Sequence, residues 1–149
     1  MRPLYEILLG LTLTTVTLVI HSIGMYLVMH RFEMNWPNYL HAKNEFRRQF
    51  YLGRLLMLML FTHLVEVLFI AVMLFCLHTF ADFRTAFYFT GETYTTLGYG
   101  DVLLPQGWRQ LALFIAMSGL LAFGWSTGVL VSIVGKTYEA QFADLRKRH

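Results

Sequence analysis

The most specific chemistry in the chain lies in seven consecutive residues, Thr95-Thr96-Leu97-Gly98-Tyr99-Gly100-Asp101. A cation stripped of its water needs a ring of oxygens, and backbone carbonyls supply them without bringing full negative charge. For successive carbonyls to point the same way, the backbone must alternate in handedness. Gly98 and Gly100 permit the left-handed angles that other residues resist. Thr96 adds a hydroxyl at one end of the segment. Tyr99 is expected to point outward and brace the strand against an aromatic cuff drawn from Tyr88, Phe89 and Tyr94.

Such a segment works only if other elements hold it. The chain has 149 residues, of which 56% are hydrophobic and 14% charged. The apolar residues are gathered into three runs, Leu4–Met29, Leu55–Leu77 and Leu111–Val134. Each is long enough to cross a bilayer, which takes about 20 apolar residues in helix. Backbone polar groups in hydrocarbon must be satisfied internally, so the runs should be helices. The first run is longer than the apolar core of a cleavable signal, about 7–15 residues, so it reads as a span; a cleaved signal, leaving two spans, is the minor alternative. Cys76 is the only cysteine, which excludes an intrachain disulfide.

The net charge is +3, but its distribution argues against a nucleic-acid partner. Nine of the twelve Lys and Arg lie in two segments: Arg31, Lys43, Arg47, Arg48 and Arg54, then Lys136, Arg146, Lys147 and Arg148. Three spans put both segments on one side, which the positive-inside rule makes cytoplasmic. The N-terminus is then outside and the C-terminus cytoplasmic. The basic tail is a candidate for attraction to anionic lipid. Trp36-Pro37-Asn38 reads as a turn, and His41–Arg54 as an interfacial helix leading into the second span.

Residues 78–110 are too polar to span and too apolar for an ordinary loop. Asp82 is placed to cap a helix from Phe83 of about ten residues, roughly 15 Å or half a bilayer. A half-helix followed by extended backbone is allowed at membrane depth only where it is buried in protein or lines water. This combination is a re-entrant loop. Its C-terminal, partially negative helix end would favour a cation nearby.

Taken with its flanking spans, Thr95–Asp101 resembles the signature of the potassium channel superfamily. That family's filter is described by the motif TVGYG, so the resemblance is a motif match. It covers roughly residues 55–136: outer helix, pore helix, filter and inner helix, with one extra span before them. It implies that the carbonyls of Thr96, Leu97, Gly98 and Tyr99 form stacked potassium sites. The Thr96 hydroxyl would close the innermost site and Gly100 would complete the outer mouth. It also implies four identical subunits around one axis. Leu97 departs from the pattern, standing where Val is usual; its side chain is expected to face the pore helix. By the same resemblance Glu92 and Asp101 would share a proton behind the filter, because two close, partly desolvated carboxyls raise one pKa. Thr95 belongs with them as filter support, and Gly119, with Gly124 or Gly128 next, as hinge candidates in the inner helix; close packing by small residues is the competing role.

Ionisable groups inside a span are functional candidates by default. His63 and Glu66 stand at i and i+3 on one face of the second span, where they could pair with each other or with Thr12, Thr14, Thr15, Thr17 or His21 of the first. A zinc site from His21, His63 and Glu66 requires two helices to align, and nothing in the sequence fixes their rotation. Structural pairing is the simpler expectation, with pH gating or an accessory ion role as the alternative. Trp108 reads as an interfacial anchor. The eight methionines read as packing, since they form no tight soft-ligand cluster.

The expected protein is therefore an all-α membrane protein with three transmembrane helices, a pore helix and a filter loop, assembled as a homotetramer. Its parts would be an N-terminal helix (1–30), a cytoplasmic connector (31–54), a pore module (55–136) and a short basic tail (137–149). The function expected is passive, potassium-selective conduction across a plasma (inner) membrane. Potassium is the permeant ligand, and no cofactor or enzymatic activity is expected. The alternatives are a non-selective cation channel and a non-conducting structural or sensory subunit.

Overall fold

The computed structural model describes residues 2–41 and 44–148. Lys43, and the side chains of Arg2, Lys147 and Arg148, lie outside the described residues. The elements are α1 (Arg2–Leu40), α2 (Glu45–Cys76), α3 (Phe83–Tyr94), a short 3-10 turn (Gln106–Trp108) and α4 (Gln110–Arg148). Among the described residues there is no β-sheet, so the expected filter strand, residues 95–101, is an unpaired stretch of backbone, and α1, α2 and α4 are each long and apolar enough to cross a membrane.

The three long helices outrun the bilayer. The 39 residues of α1 make a rod of about 58 Å, nearly twice the hydrocarbon thickness of about 30 Å. The expected end of the first span at His30-Arg31 is therefore not a helix end. Trp36-Pro37-Asn38 is not a turn either, since Pro37 lies inside α1. Aromatic side chains one turn apart overcome the proline. Phe32 and Trp36 lie 5.1 Å apart, Trp36 stacks on Tyr39 at 5.4 Å, and Arg48 of α2 covers the Tyr39 ring. Gln141 of α4 donates to the Tyr39 hydroxyl at 3.2 Å. Most of the expected connector is thus a helical extension of α1 and α2. Asn44 caps α2 by accepting from the Phe46 N–H at 3.1 Å.

Helix α1 packs along both α2 and α4, and those two touch each other little. Small residues allow the approach: Gly10 meets Phe114 of α4, and Gly24 meets Thr62 of α2. One core cluster joins Leu13, Ile70, Leu74, Phe89, Leu111 and Ile115 around α3. A second joins Met25, Val28, Phe32, Leu55, Met59 and Ile133 toward the basic end. Outside these clusters the helices expose large apolar side chains such as Leu60, Phe61, Leu113 and Leu120, as suits contact with lipid or other subunits.

α2 ends where His78 adopts φ +54° and the Thr79 N–H returns to the Leu74 carbonyl at 3.2 Å. α3 starts where expected. Asp82 accepts from the Thr85 N–H at 2.9 Å and from the Thr85 hydroxyl at 2.8 Å. These bonds hold the Asp82 carboxyl below its usual range. The helix has 12 residues, about 18 Å, so it reaches only part-way across a bilayer.

Candidate functional site

The chain leaves α3 through a backbone of alternating handedness. φ is +60° at Thr96, +54° at Gly98 and +77° at Gly100, while Leu97 and Tyr99 between them stay out of the positive region. Backbone of alternating handedness is what carbonyls pointing to one side would require. Glycine adopts these angles freely, but a β-branched residue does not. Thr96 is held there by its surroundings. Its N–H donates to the Thr93 carbonyl at 3.0 Å, and the next two N–H groups, of Leu97 and Gly98, donate to the Glu92 carbonyl at 2.8 and 3.2 Å. The sequence pointed to the two glycines and gave no sign of the positive φ at Thr96.

The Glu92 side chain is buried behind this strand, near the Tyr99 N–H and Asp101. Its Oε2 has no hydrogen-bond partner. Burial, then the charge of Asp101, pushes the Glu92 carboxyl above its ordinary value. Asp101 is itself held by the Tyr88 hydroxyl, which donates to Oδ2 at 3.1 Å. Thr95 closes α3, its hydroxyl donating to the Gly91 carbonyl at 2.8 Å.

The end of α3 rests directly on α4. A Cβ at Gly119 would stand 2.9 Å from the Tyr94 carbonyl carbon, with the oxygen closer still. Gly119 therefore serves close packing, and α4 runs unbroken through it and through Gly124 and Gly128.

An ion channel family model matches residues 53–136, more than half of the chain and the whole stretch from α2 through the strand into α4. The chain belongs to this ion channel family. It is the two-span, potassium-channel-like type, and not a family of enzymes. No curated protein and no solved structure gave a match.

Within the channel chain, the strand Thr95–Asp101 is exposed, with Leu97 at 56% and Tyr99 at 71%. The Leu97 side chain, expected to face the pore helix, is left more than half exposed by the single chain. Of the three expected cuff residues only Tyr88 stays at the surface. Phe89 is buried against Phe80, and Tyr94 is turned into the core.

Tyr94 reaches the most polar spot inside the bundle. Its hydroxyl donates to Glu66 Oε2 and lies 2.9 Å from His63 Nδ1. Glu66 Oε1 lies 2.8 Å from His21 Nδ1. Ser126 of α4 closes the ring: its Oγ is 3.1 Å from His63 Nε2 and 3.3 Å from His21 Nε2. All four helices thus contribute to one buried cluster. The expected His63–Glu66 pair is present at 3.5 Å, and His21 is its partner from α1. The threonines of α1 do not join it; Thr12, Thr15 and Thr17 bond back to their own helix and Thr14 to the Phe114 carbonyl. The sequence showed the three ionisable members. It could not show Tyr94, which reads as a filter aromatic, or Ser126, which lies 105 residues from His21.

Proposed function

We propose that this channel is potassium-selective and works as a homotetramer, with Thr96–Gly100 of each subunit lining the ion path. The alternating backbone of Thr96, Gly98 and Gly100 carries the reading. One strand of aligned carbonyls supplies a quarter of each oxygen ring, and four strands around an axis complete it. Thr96, Leu97, Gly98 and Tyr99 would then contribute carbonyls to the dehydrated ion, with the Thr96 hydroxyl below them. The exposed side chains of Leu97 and Tyr99 would be covered by neighbouring subunits.

Support behind the strand comes from Glu92, Thr95 and Asp101. A protonated Glu92 beside Asp101 avoids placing two carboxylates together, which keeps the strand from being pushed apart. Gly124, with open space around it, suits bending of the inner helix better than Gly119. The basic end of the bundle would face the cytoplasm, with the N-terminus outside a plasma membrane. A groove of about 240 Å³ between α1 and α2, lined by Arg31, Arg54 and Tyr51, is suited to an anionic lipid headgroup there.

The test is ion flux from liposomes holding the purified full-length chain and a potassium gradient. Potassium flux that barium blocks, with much smaller sodium flux, is expected. Equal sodium flux would make the channel non-selective; no flux from a verified tetramer would favour a non-conducting subunit.

A further inference from the structure

His21, Glu66, Tyr94, His63 and Ser126 form a closed, buried ring of polar atoms contributed by all four helices. Tyr94 donates to Glu66 Oε2, His63 Nδ1 faces the Tyr94 oxygen at 2.9 Å and His21 Nδ1 faces Glu66 Oε1 at 2.8 Å. Ser126 Oγ bridges the two Nε2 atoms at 3.1 and 3.3 Å. Five hydrogens running one way round, one of them held between His21 and Glu66, satisfy every contact without net charge. The same ring has a second arrangement. With both Nε2–H groups donating to the Ser126 oxygen, whose two lone pairs accept them, and Ser126 donating to Met25 Sδ at 3.6 Å, both histidines turn a bare Nδ1 lone pair toward the Glu66 and Tyr94 oxygens. Two ring nitrogens, a carboxylate and a phenol oxygen then converge on one point as a donor set for a cation.

We infer that His21, His63 and Glu66, completed by the Tyr94 oxygen, form a binding site for a divalent first-row metal ion of the zinc class. Candidate ligand atoms of His21, His63 and Glu66 all lie within 4.8 Å of one another, and all three residues are buried. Metal–ligand bonds of about 2.0–2.1 Å in a tetrahedron place ligand atoms about 3.3 Å apart. His21 and His63 stand 2.8 Å and 3.5 Å from different oxygens of Glu66, so closing on one ion draws the widest ligand pair in by up to about 1.5 Å. Imidazole with carboxylate and phenolate oxygen is a donor set that suits zinc. Charge closes as well: on binding, two protons go to the buffer, the Tyr94 phenol's and the one held between His21 and Glu66, and phenolate plus carboxylate balance the ion. Ser126 is then the shared outer partner, accepting from both Nε2–H groups, which is the support that metal-bound histidines usually have. The site ties α1, α2 and the end of α3 together, with α4 held through Ser126. Its Tyr94 stands two residues before Thr96, so an ion there would fix the base of the filter strand. None of this depends on which ion the channel conducts.

The experiment uses the full-length protein in detergent, stripped with a chelator and titrated with Co(II) as the probe. Intense visible bands of four-coordinate Co(II), saturating at one ion per chain and bleached by one equivalent of Zn(II), are expected. His21→Gln and His63→Gln should abolish the bands, Ser126→Ala should weaken binding about 10- to 100-fold, and His30→Gln at the exposed surface should change nothing. Only the weak bands of six-coordinate Co(II) in the wild-type protein, or bands that persist in His21→Gln, would overturn the assignment and leave a purely hydrogen-bonded ring. The wild-type spectrum alone decides if the glutamine variants do not fold.

Discussion

Replacing Gly119 by alanine tests the joint between the pore helix and α4 through a single added methyl group. The new Cβ would stand 2.9 Å from the Tyr94 carbonyl carbon and 3.2 Å from the ring carbon Cγ. Carbon atoms rest at about 3.5–4.0 Å, and the Tyr94 carbonyl oxygen stands nearer than either carbon, so one element must retreat by more than about 1 Å. The obstacle is the backbone that closes α3, and it cannot swing aside as a side chain would. Overpacking of a tight site costs about 1–3 kcal/mol, and a backbone obstacle belongs at the upper end. Alanine regains about 1 kcal/mol of helix propensity over glycine. The net expectation is a loss of about 2 kcal/mol per chain, close to 30-fold in the folding equilibrium. Gly124→Ala is the matched control, since nothing stands within 4 Å of its Cβ. Thermal unfolding of both variants in detergent, followed by flux through liposomes, makes the comparison. Gly119→Ala should unfold earlier and conduct with altered selectivity, while Gly124→Ala should unfold no earlier than the parent. A Gly119→Ala protein as stable as the parent would refute the packing argument.

The raised carboxyl of Glu92 gives a pH dependence. Its folded-state pKa exceeds the ordinary 4.5, so the folded state takes up the extra proton. The stability this gives is fully present below 4.5 and is lost as pH rises through the raised value. Glu92→Gln should remove that dependence and keep the strand intact at neutral pH, as read by unfolding temperature against pH. Gly98→Ala forces an L side chain to φ +54°, costing about 1–2 kcal/mol, and should reduce or abolish potassium flux. Thr96→Gly relieves the same kind of strain, so it should raise the unfolding temperature while lowering conduction through loss of the hydroxyl. Tyr94→Phe leaves Glu66 and His63 each short of a buried partner, a loss of about 1–3 kcal/mol, visible as earlier unfolding.

Hydropathy alone located the three spanning helices, and the Asp82 cap located the start of α3, because both signals are local. Helix ends were less legible. Hydropathy marks where a chain enters lipid, whereas α1 continues to Leu40 on contacts of Phe32, Trp36 and Tyr39 with α2 and α4. The turn signal of Trp36-Pro37-Asn38 lost to that packing. Gly98 and Gly100 announced their positive φ, but Thr96 did not, since its angle is imposed by hydrogen bonds to Glu92 and Thr93 around it. His21, His63 and Glu66 were conspicuous as ionisable groups in apolar runs. Their convergence depended on helix rotation, which is set by close contacts such as Gly10 on Phe114 and Gly24 on Thr62.

The central claim is that the strand from Thr96 to Gly100 selects potassium. The reversal potential across a planar bilayer, with potassium on one side and an equal concentration of sodium on the other, measures this directly. Each tenfold preference for potassium moves that potential by about 59 mV for a single charge. A shift beyond about 59 mV in the direction of potassium permeation is expected, and it should collapse in Gly98→Ala channels that still conduct. A reversal potential near zero in the parent channel would contradict the account.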